Sequence, residues 1–451
     1  MAAPLRVAVV GSGPAGAFCA QILTEESGRD VGDLAVDVFE RLPTPFGLVR
    51  YGVAPDHQKI KSIVASLTEV FETPGVRFFG NVTIGSGAGC DLTVDELRAH
   101  YDAVVLASGA PLERRLGVPG EDRAGVVAAR DFVSWYSGHP DAAFDTSVLA
   151  AERAVVVGVG NVALDVARML VRTPDELRRT DVPEHVVEAL AGHRVREVCV
   201  VGRRGPEHAK FTNKEFLELA AIDGADVVVS PDDLVLSEQA RAVAARPAAA
   251  RLLASLQKVA EREPQGRARS IRFLFHRTPV EFAGRTDIDT AVRAVRLAHT
   301  QRPEIVEDLP VGLVLPAVGY RGRALAGVPF DNTSGTIPHR DARVVDGERV
   351  LPGLYAVGWV KRGPSGVIGT NRLCASETVE ALLADAADLA GSGAGPEGIE
   401  ALLRARGVPV VDWSRWQAIE AAETALGERT GRGRVKLHER DAMLLAAGVA
   451  G

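Results

Sequence analysis

Short continuous apolar runs, most of them closed by glycine, alternate along this chain with longer segments whose apolar residues recur at helical spacing. Arg6–Val10, Leu34–Phe39 and Tyr101–Ala110 are runs of the first kind, and so are Arg153–Val157, Glu197–Val201 and Gly312–Tyr320. Without polar alternation they suit strands buried on both faces of a parallel sheet. Further strands are expected at 76–84, Ser270–His276, Val292–Leu297 and Leu354–Val357. Helices are expected from the first glycine turn through Leu23, from about Gln58 to Phe71, over Leu164–Val171, after Phe211, across 237–265 and from near Asn371. Strands alternating with helices predict an α/β fold.

The first run leads into Gly11-Ser12-Gly13-Pro14-Ala15-Gly16. Gly11 permits the tight turn, Gly13 lets a pyrophosphate approach the backbone, and Gly16 lets the helix sit close on the strand. The free N–H groups at the start of that helix form an anion site. The next strand ends on Glu40, where an acid accepts hydrogen bonds from an adenosine ribose and repels a 2′-phosphate. This pattern predicts FAD or NAD, not NADP, at the first turn.

The pattern then repeats. Arg153–Val157 leads into Gly158-Val159-Gly160-Asn161-Val162-Ala163, with alanine in the third glycine position. The following strand, Glu197–Val201, ends in Gly202-Arg203-Arg204-Gly205-Pro206 instead of an acid. Two arginines at the ribose position suit a 2′-phosphate and predict NADPH. The interval from Gly160 to Arg203 is about twice the usual one, and a polar, helix-prone insertion, Thr173–Arg194, fills it.

Composition narrows the function. Of 451 residues 46% are hydrophobic and 25% charged, as in a globular enzyme of two or three domains. A net charge of −7 gives no basic surplus for nucleic acid. Cys19, Cys90, Cys199 and Cys374 form no CxxC or metal-ligand spacing, so no metal site and no adjacent redox disulfide are expected. Cys19 and Cys199 read as small core residues. The N-terminus enters a core strand within a few residues and no apolar run reaches membrane-spanning length, which predicts a reduced, cytoplasmic setting.

Between these landmarks, residues 41–61 hold three prolines and two glycines and are expected to form a shaped loop without regular structure, with His57 just before a helix. Gly358 to Asn371 is a second glycine-rich segment, in which Trp359 could stack on an aromatic ring or belong to the core. Gly391–Gly398 reads as a flexible linker. Beyond it lie Trp413, Trp416 and a basic group, Arg429, Arg432, Arg434 and Lys436.

Two dinucleotide motifs in one chain suggest a bound flavin and an exchangeable hydride donor. The expected architecture is two nested Rossmann-like domains in the order of the two-dinucleotide-domain, glutathione-reductase-like flavoproteins. Residues 1–110 and 323–451 would hold FAD, the latter with a C-terminal extension, and 111–322 would hold NADP. Without a cysteine pair, the electron acceptor is a one-electron carrier, a quinone, or oxygen with an organic substrate. A monooxygenase-like enzyme, an electron-input subunit like that of glutamate synthase and a non-catalytic dinucleotide-binding redox sensor stay open.

Leu42-Pro43-Thr44-Pro45-Phe46-Gly47-Leu48-Val49-Arg50 and Val53-Ala54-Pro55-Asp56-His57 resemble the ferredoxin–NADP+ reductases of the adrenodoxin-reductase type. So do Gly202–Pro206, Phe211-Thr212 with Glu215, and Gly358-Trp359 through Asn371, which covers nearly the whole chain in family order. The likeness is nearest to the actinobacterial members. It implies reduction of FAD by NADPH, then two single-electron transfers to a ferredoxin. Whether that protein carries a 2Fe-2S, 3Fe-4S or 4Fe-4S cluster stays open, and so does the oligomeric state, with a monomer favoured.

The resemblance also implies site residues. FAD would be held by the first glycine turn (Gly11, Gly13, Pro14, Ala15, Gly16), Glu40, Arg41, Leu48, Val82, Trp359, Gly366, Val367 and Ile368. NADP would meet Arg114, Gly158, Val159, Gly160, Asn161, Val162, Arg203, Arg204, Glu215 and Gly366. His57 and Glu215 would orient the nicotinamide and tune hydride transfer. Glu207-His208-Ala209-Lys210 departs from the apolar residues expected before Phe211. For an acidic ferredoxin, Arg41, Arg50, Lys59, Lys361, Arg362 and Arg372 are candidates for a basic docking face.

Overall fold

The computed structural model describes residues 5–28, 33–286, 289–389, 391, 395 and 397–449. The chain separates into two compact units, Met1–Leu112 with Gly319–Gly451, and Glu113–Val318.

The first unit is built on a seven-stranded sheet in the order His339–Arg340, Arg343–Asp346, Arg349–Ala356, Ala103–Leu106, Leu5–Val10, Leu34–Glu40, Val76–Gly80. The last five run parallel, and the first two add antiparallel at one edge. Val7 pairs with Val36 on one side and Ala103 on the other, placing Leu5–Val10 at the centre. Successive side chains of that strand enter opposite cores. Leu5, Val7 and Val9 pack with Phe18, Ile22 and Leu23 of the helix Pro14–Glu26 and with Cys374 and Val379 of the helix Ile368–Leu389. Ala8 and Val10 pack with Leu97, Tyr101, Ile399 and Leu403. Burial on both faces is why the strand reads as an unbroken apolar run.

The second unit has a five-stranded parallel sheet in the order Leu313–Pro316, Arg153–Val157, Glu197–Val201, Arg269–Leu274, Ala225–Val229. The insertion after Gly160 folds into Pro174–Arg178 and Glu184–Gly192. Their apolar residues Leu177, Val186, Val187 and Leu190 join the core and leave the strand order undisturbed. A separate antiparallel sheet pairs Arg277–Ala283, Ala294–His299 and Arg302–Pro310.

Several elements differ from expectation. The segment 41–61 carries two single-turn helices, Leu48–Tyr51 and Gln58–Lys61, because its prolines and glycines stop short of those two stretches. The helix expected from Gln58 to Phe71 is two, Gln58–Lys61 and Ile63–Glu72, divided at Ser62. The strand expected at Val292–Leu297 runs Ala294–His299 and is the middle strand of the antiparallel sheet. The helix expected from Asn371 begins at Ile368. Half of the expected Gly391–Gly398 linker, positions 392–394 and 396, lies outside the described residues, and its last positions open the helix Glu397–Ala405. Among the described residues no helix is long and apolar enough to cross a membrane.

Candidate dinucleotide sites

The two glycine turns have the same build in their separate units. Gly11 has φ +116°, and a Cβ there would lie 2.5 Å from the Ala107 carbonyl oxygen. Gly158 has φ +139°, and a Cβ there would lie 2.4 Å from the Ala317 oxygen. Each turn is clamped to the neighbouring strand, Gly11 N–H to Phe39 O at 2.8 Å and Gly158 N–H to Val201 O at 2.9 Å. Gly16 is needed for packing, since its Cβ would fall 1.9 Å from Gly11 O.

Gly13 and Gly160 are different. A Cβ on Gly13 meets only Gly47 Cα at 3.9 Å, and one on Gly160 meets nothing within 4 Å. These residues are the N-caps of Pro14–Glu26 and Asn161–Val171. Neither helix has a side-chain cap or an acid in its first turn. Pro14 stands at the first helical position, where its missing N–H costs no intrahelical bond. Bare backbone at the positive end of a helix fits the pyrophosphate of a dinucleotide in both units.

Glu40 ends its strand with the carboxylate already oriented. One oxygen accepts from Ser12 N–H at 3.1 Å and Ser12 Oγ at 2.7 Å, and the other accepts from Leu42 N–H at 3.1 Å. Each carboxylate oxygen keeps acceptor capacity for a ribose hydroxyl. Ser12, fully buried, is the residue sequence reasoning missed; its only signal was a hydroxyl between the first two glycines.

Around this turn, Ala15 packs against Gly358, whose Cβ would come within 2.6 Å of Ala15 Cβ. Val82 is buried and donates its N–H to Glu40 O at 2.9 Å. Arg41 is exposed, and Leu48 is 47% exposed beside Gly47. Trp359 stacks on Tyr320 with ring centres 5.9 Å apart and donates its indole N–H to Ser365 O at 3.2 Å. One face of that indole is therefore occupied by the protein itself. Gly366 (φ +82°), Val367 and Ile368 form the approach to the helix Ile368–Leu389, and Val367, 69% exposed, donates its N–H to Thr370 Oγ1. His57 is the N-cap residue of Gln58–Lys61, accepting from the N–H groups of Ile60 and Lys61 through its carbonyl.

In the second unit, Arg203 and Arg204 are exposed, and neither guanidinium has a hydrogen-bond or ion-pair partner among the described residues. Backbone hydrogen bonds fix their segment: Gly202 N–H to Leu274 O at 2.9 Å and Arg277 N–H to Gly202 O at 3.0 Å. Two free forks on a fixed backbone fit a phosphate monoester. Val159 O accepts from both Lys210 (2.7 Å) and Phe211 (3.2 Å), tying the glycine turn to the next segment. Asn161 Oδ1 accepts from Thr212 N–H at 3.1 Å, and Val162 follows in the same first turn. Thr212 caps the helix Asn213–Ala220, and Glu215 on its first turn has Oε2 buried with no partner among the described residues. An orphaned buried carboxylate oxygen fits a ligand that donates to it. Arg114 is exposed in a separate part of this unit.

The polar departure at 207–210 has a structural place. Pro206–His208 is a 3-10 turn, and Glu207, 8% exposed, folds its carboxylate under Gly205 together with the ring of His276. Burial pushes the His276 imidazole below its ordinary value, although the nearby Glu207 carboxylate acts the other way.

All four cysteines are free. Burial, reinforced by Cys374, pushes the Cys19 thiol far up, and burial followed by the charge of Glu197 pushes Cys199 up to about 12. Both are neutral core thiols, not nucleophiles. The expected basic face is corrected at two positions. Arg50 is buried against Glu423, and Lys361 is buried with Nζ 3.0 Å from Glu377. Arg362 and Arg372 are also engaged, with Asn371 at 2.7 Å and Gln21 at 2.8 Å. Sequence alone counts cations but does not show which are internally neutralised.

The model of the pyridine nucleotide-disulphide oxidoreductase family matches residues 5–370. The NADPH-ferredoxin reductase FprA of Mycobacterium tuberculosis is 43% identical over 454 residues, covering 96% of this chain and 97% of the relative. The mitochondrial NADPH:adrenodoxin oxidoreductase of Arabidopsis thaliana is 38% identical over 472 residues, covering 98% and 95%. The solved structure of Mycobacterium tuberculosis FprA in complex with NADPH superposes with a TM-score of 0.90 at 42% identity, covering 98% of this chain and 99% of that one. Full-length similarity and twin glycine turns lead to the same place: this chain belongs to the pyridine nucleotide-disulphide oxidoreductase family, among its ferredoxin–NADP+ reductases of the adrenodoxin-reductase type.

Proposed function

We propose that this chain is an NADPH-dependent FAD flavoprotein that delivers electrons singly to a ferredoxin-type iron–sulfur protein. The observation that carries the reading is the pairing of an acid with one glycine turn and, with the other, two arginines that have no hydrogen-bond or ion-pair partner among the described residues. It is supported by near-complete overlap with relatives named for NADPH and ferredoxin or adrenodoxin.

In this reading the Gly11–Gly16 turn receives the FAD pyrophosphate and Glu40 its adenosine ribose, with Arg41, Leu48, Val82, Trp359 and Gly366–Ile368 lining the rest. Gly158–Val162 receives the NADP pyrophosphate, Arg203 and Arg204 its 2′-phosphate, and Arg114 and Gly366 make outer contacts. Bound FAD supplies the chemistry that accepts a hydride and releases electrons one at a time. The protein binds and aligns the two partners of that transfer, where small errors of placement are costly. Glu215 accepts from the nicotinamide end of NADPH through its orphaned oxygen, and His57 orients the ring during transfer.

The test is a purified, yellow holoprotein mixed with NADPH, then with a ferredoxin from the same genome and cytochrome c. Flavin bleaching by NADPH, with cytochrome c reduced quickly only when ferredoxin is present, is expected. Turnover with a quinone and no gain from ferredoxin would replace the carrier reading. NADPH binding without bleaching would leave a sensor.

A further inference from the structure

Two of the C-terminal basic residues, Arg434 and Lys436, meet Glu423 and Arg50 beside the segment that packs on the first glycine turn. Glu423, on the helix Trp413–Arg429, has a side chain with no solvent exposure. It accepts from Arg50 Nη1 at 3.2 Å, Arg434 Nε at 2.9 Å and the N–H of Leu437 at 2.9 Å. Burial alone would push this carboxyl up, but Arg50 and then Arg434 bring it below the usual carboxylate range. Lys436, 2% exposed, donates from Nζ to the backbone carbonyl of Arg50 at 2.8 Å. The Arg50 guanidinium lies 5.1 Å from the ring centres of both Tyr51 and Trp416. Two contacts from the end of the chain thus grip one short helix, Leu48–Tyr51.

That helix is entered through Phe46 (φ +80°) and Gly47 (φ +49°). A non-glycine residue at such a φ persists only where its surroundings over-determine it. Phe46 meets Trp413 and Trp416 edge-on at 6.3 and 6.0 Å. Its N–H donates to Ser12 O at 3.2 Å, and a Cβ on Gly47 would stand 3.1 Å from Gly13 Cα. The backbone facing the pyrophosphate position is therefore backed by Phe46–Gly47, which is backed by Arg50, which is backed by Glu423.

We infer that Glu423, together with Arg434 and Lys436, is a positioning residue for the flavin dinucleotide, acting through Arg50 and the Leu48–Tyr51 helix to fix Phe46–Gly47 against the Ser12–Gly13 turn. A carboxylate enclosed between two guanidiniums is compensated only while every partner is seated. Loss of one member therefore leaves buried charge uncompensated beside the short helix. The inference rests on the first unit being the FAD site.

Glu423→Gln and Lys436→Met test it, with FAD affinity of the full chain read by recovery of free-flavin fluorescence and the seating of bound flavin by its visible circular dichroism. Both variants are expected to bind FAD about tenfold more weakly, the scale of one lost charge-assisted hydrogen bond, with an altered dichroic band. Lys436→Arg should restore most of both signals, and NADPH affinity should stay at the wild-type value. Unchanged FAD affinity and dichroism in the folded variants, whatever their melting temperature, would reduce the cluster to a structural one and overturn the inference. If Glu423→Gln does not fold, Lys436→Met decides alone. A wild-type chain that takes up no FAD would instead sink the functional reading beneath it.

Discussion

Replacing Arg203 and Arg204 together with alanine removes two exposed cations that make no hydrogen bond or ion pair among the described residues. The change therefore breaks no internal ion pair, and the backbone bonds of Gly202 that fix the segment remain. A hydrogen bond to a charged group contributes about 1.5–3 kcal/mol, and exposure places each arginine at the low end of that range. Losing both should cost about 3 kcal/mol, or roughly a hundredfold in NADPH affinity. NADH has no 2′-phosphate, so its affinity should move by less than about twofold, on the scale of a few tenths of a kcal/mol. Both constants can be measured by titration at low and high salt. The wild-type preference for NADPH should shrink as salt screens the arginines, while that of the variant should not. Arg→Lys at both positions should recover part of the loss, since charge returns without the planar fork. Equal loss for both nucleotides would refute the 2′-phosphate assignment and point to a general disturbance of the site.

For His57→Gln, flavin reduction by NADPH in a stopped-flow experiment should slow by about tenfold or more while FAD stays bound; an unchanged rate would demote His57 to the backbone cap it also provides. His193 gives a pH prediction. Burial, then the charge of Arg269, lowers its imidazole from 6.5 to about 4. Its Nδ1 accepts from Val195 N–H at 3.2 Å, which a neutral ring permits. The stability linked to this group is present above its unfolded value of 6.5 and is lost as pH falls through about 4. At about 1.36 kcal/mol per unit the full loss would be about 3 kcal/mol, and partial solvent access brings it nearer to about 2 kcal/mol. Urea denaturation between those pH values should show a decline that His193→Gln flattens.

The parts of the molecule legible in sequence are those whose cause is local. A buried parallel strand needs unbroken apolar residues, and a turn under a pyrophosphate needs glycine, so Leu5–Gly16 and Arg153–Gly160 carry their own signatures. The parts that are not legible depend on partners distant in the chain. Arg302–Pro310 is an exposed, charged strand that owes its place to the antiparallel neighbour Ala294–His299. Arg50 reads as a surface cation until it meets Glu423, which lies far along the chain. Ala225–Val229 is short and follows closely on the helix Asn213–Ala220, and its pairing with Arg269–Leu274 makes it a strand. The insertion Thr173–Arg194 announces itself by its polarity, but the burial of its two helices follows from a 3.6-residue spacing of leucine and valine that only the core reveals.

The interrupted connectivity of the first unit sets an order of assembly during synthesis. Ala103–Leu106 needs Arg349–Ala356 as its neighbour, and that strand is translated only after all of Glu113–Val318. The inserted unit is continuous and can close on itself as it leaves the ribosome. The sheet of the first unit must wait with one flank of Ala103–Leu106 unpaired, and Glu423 reaches Arg50 later still. On the proposed assignment of FAD to the first unit and NADPH to the second, flavin uptake is then a late event of biogenesis, after the inserted unit has closed.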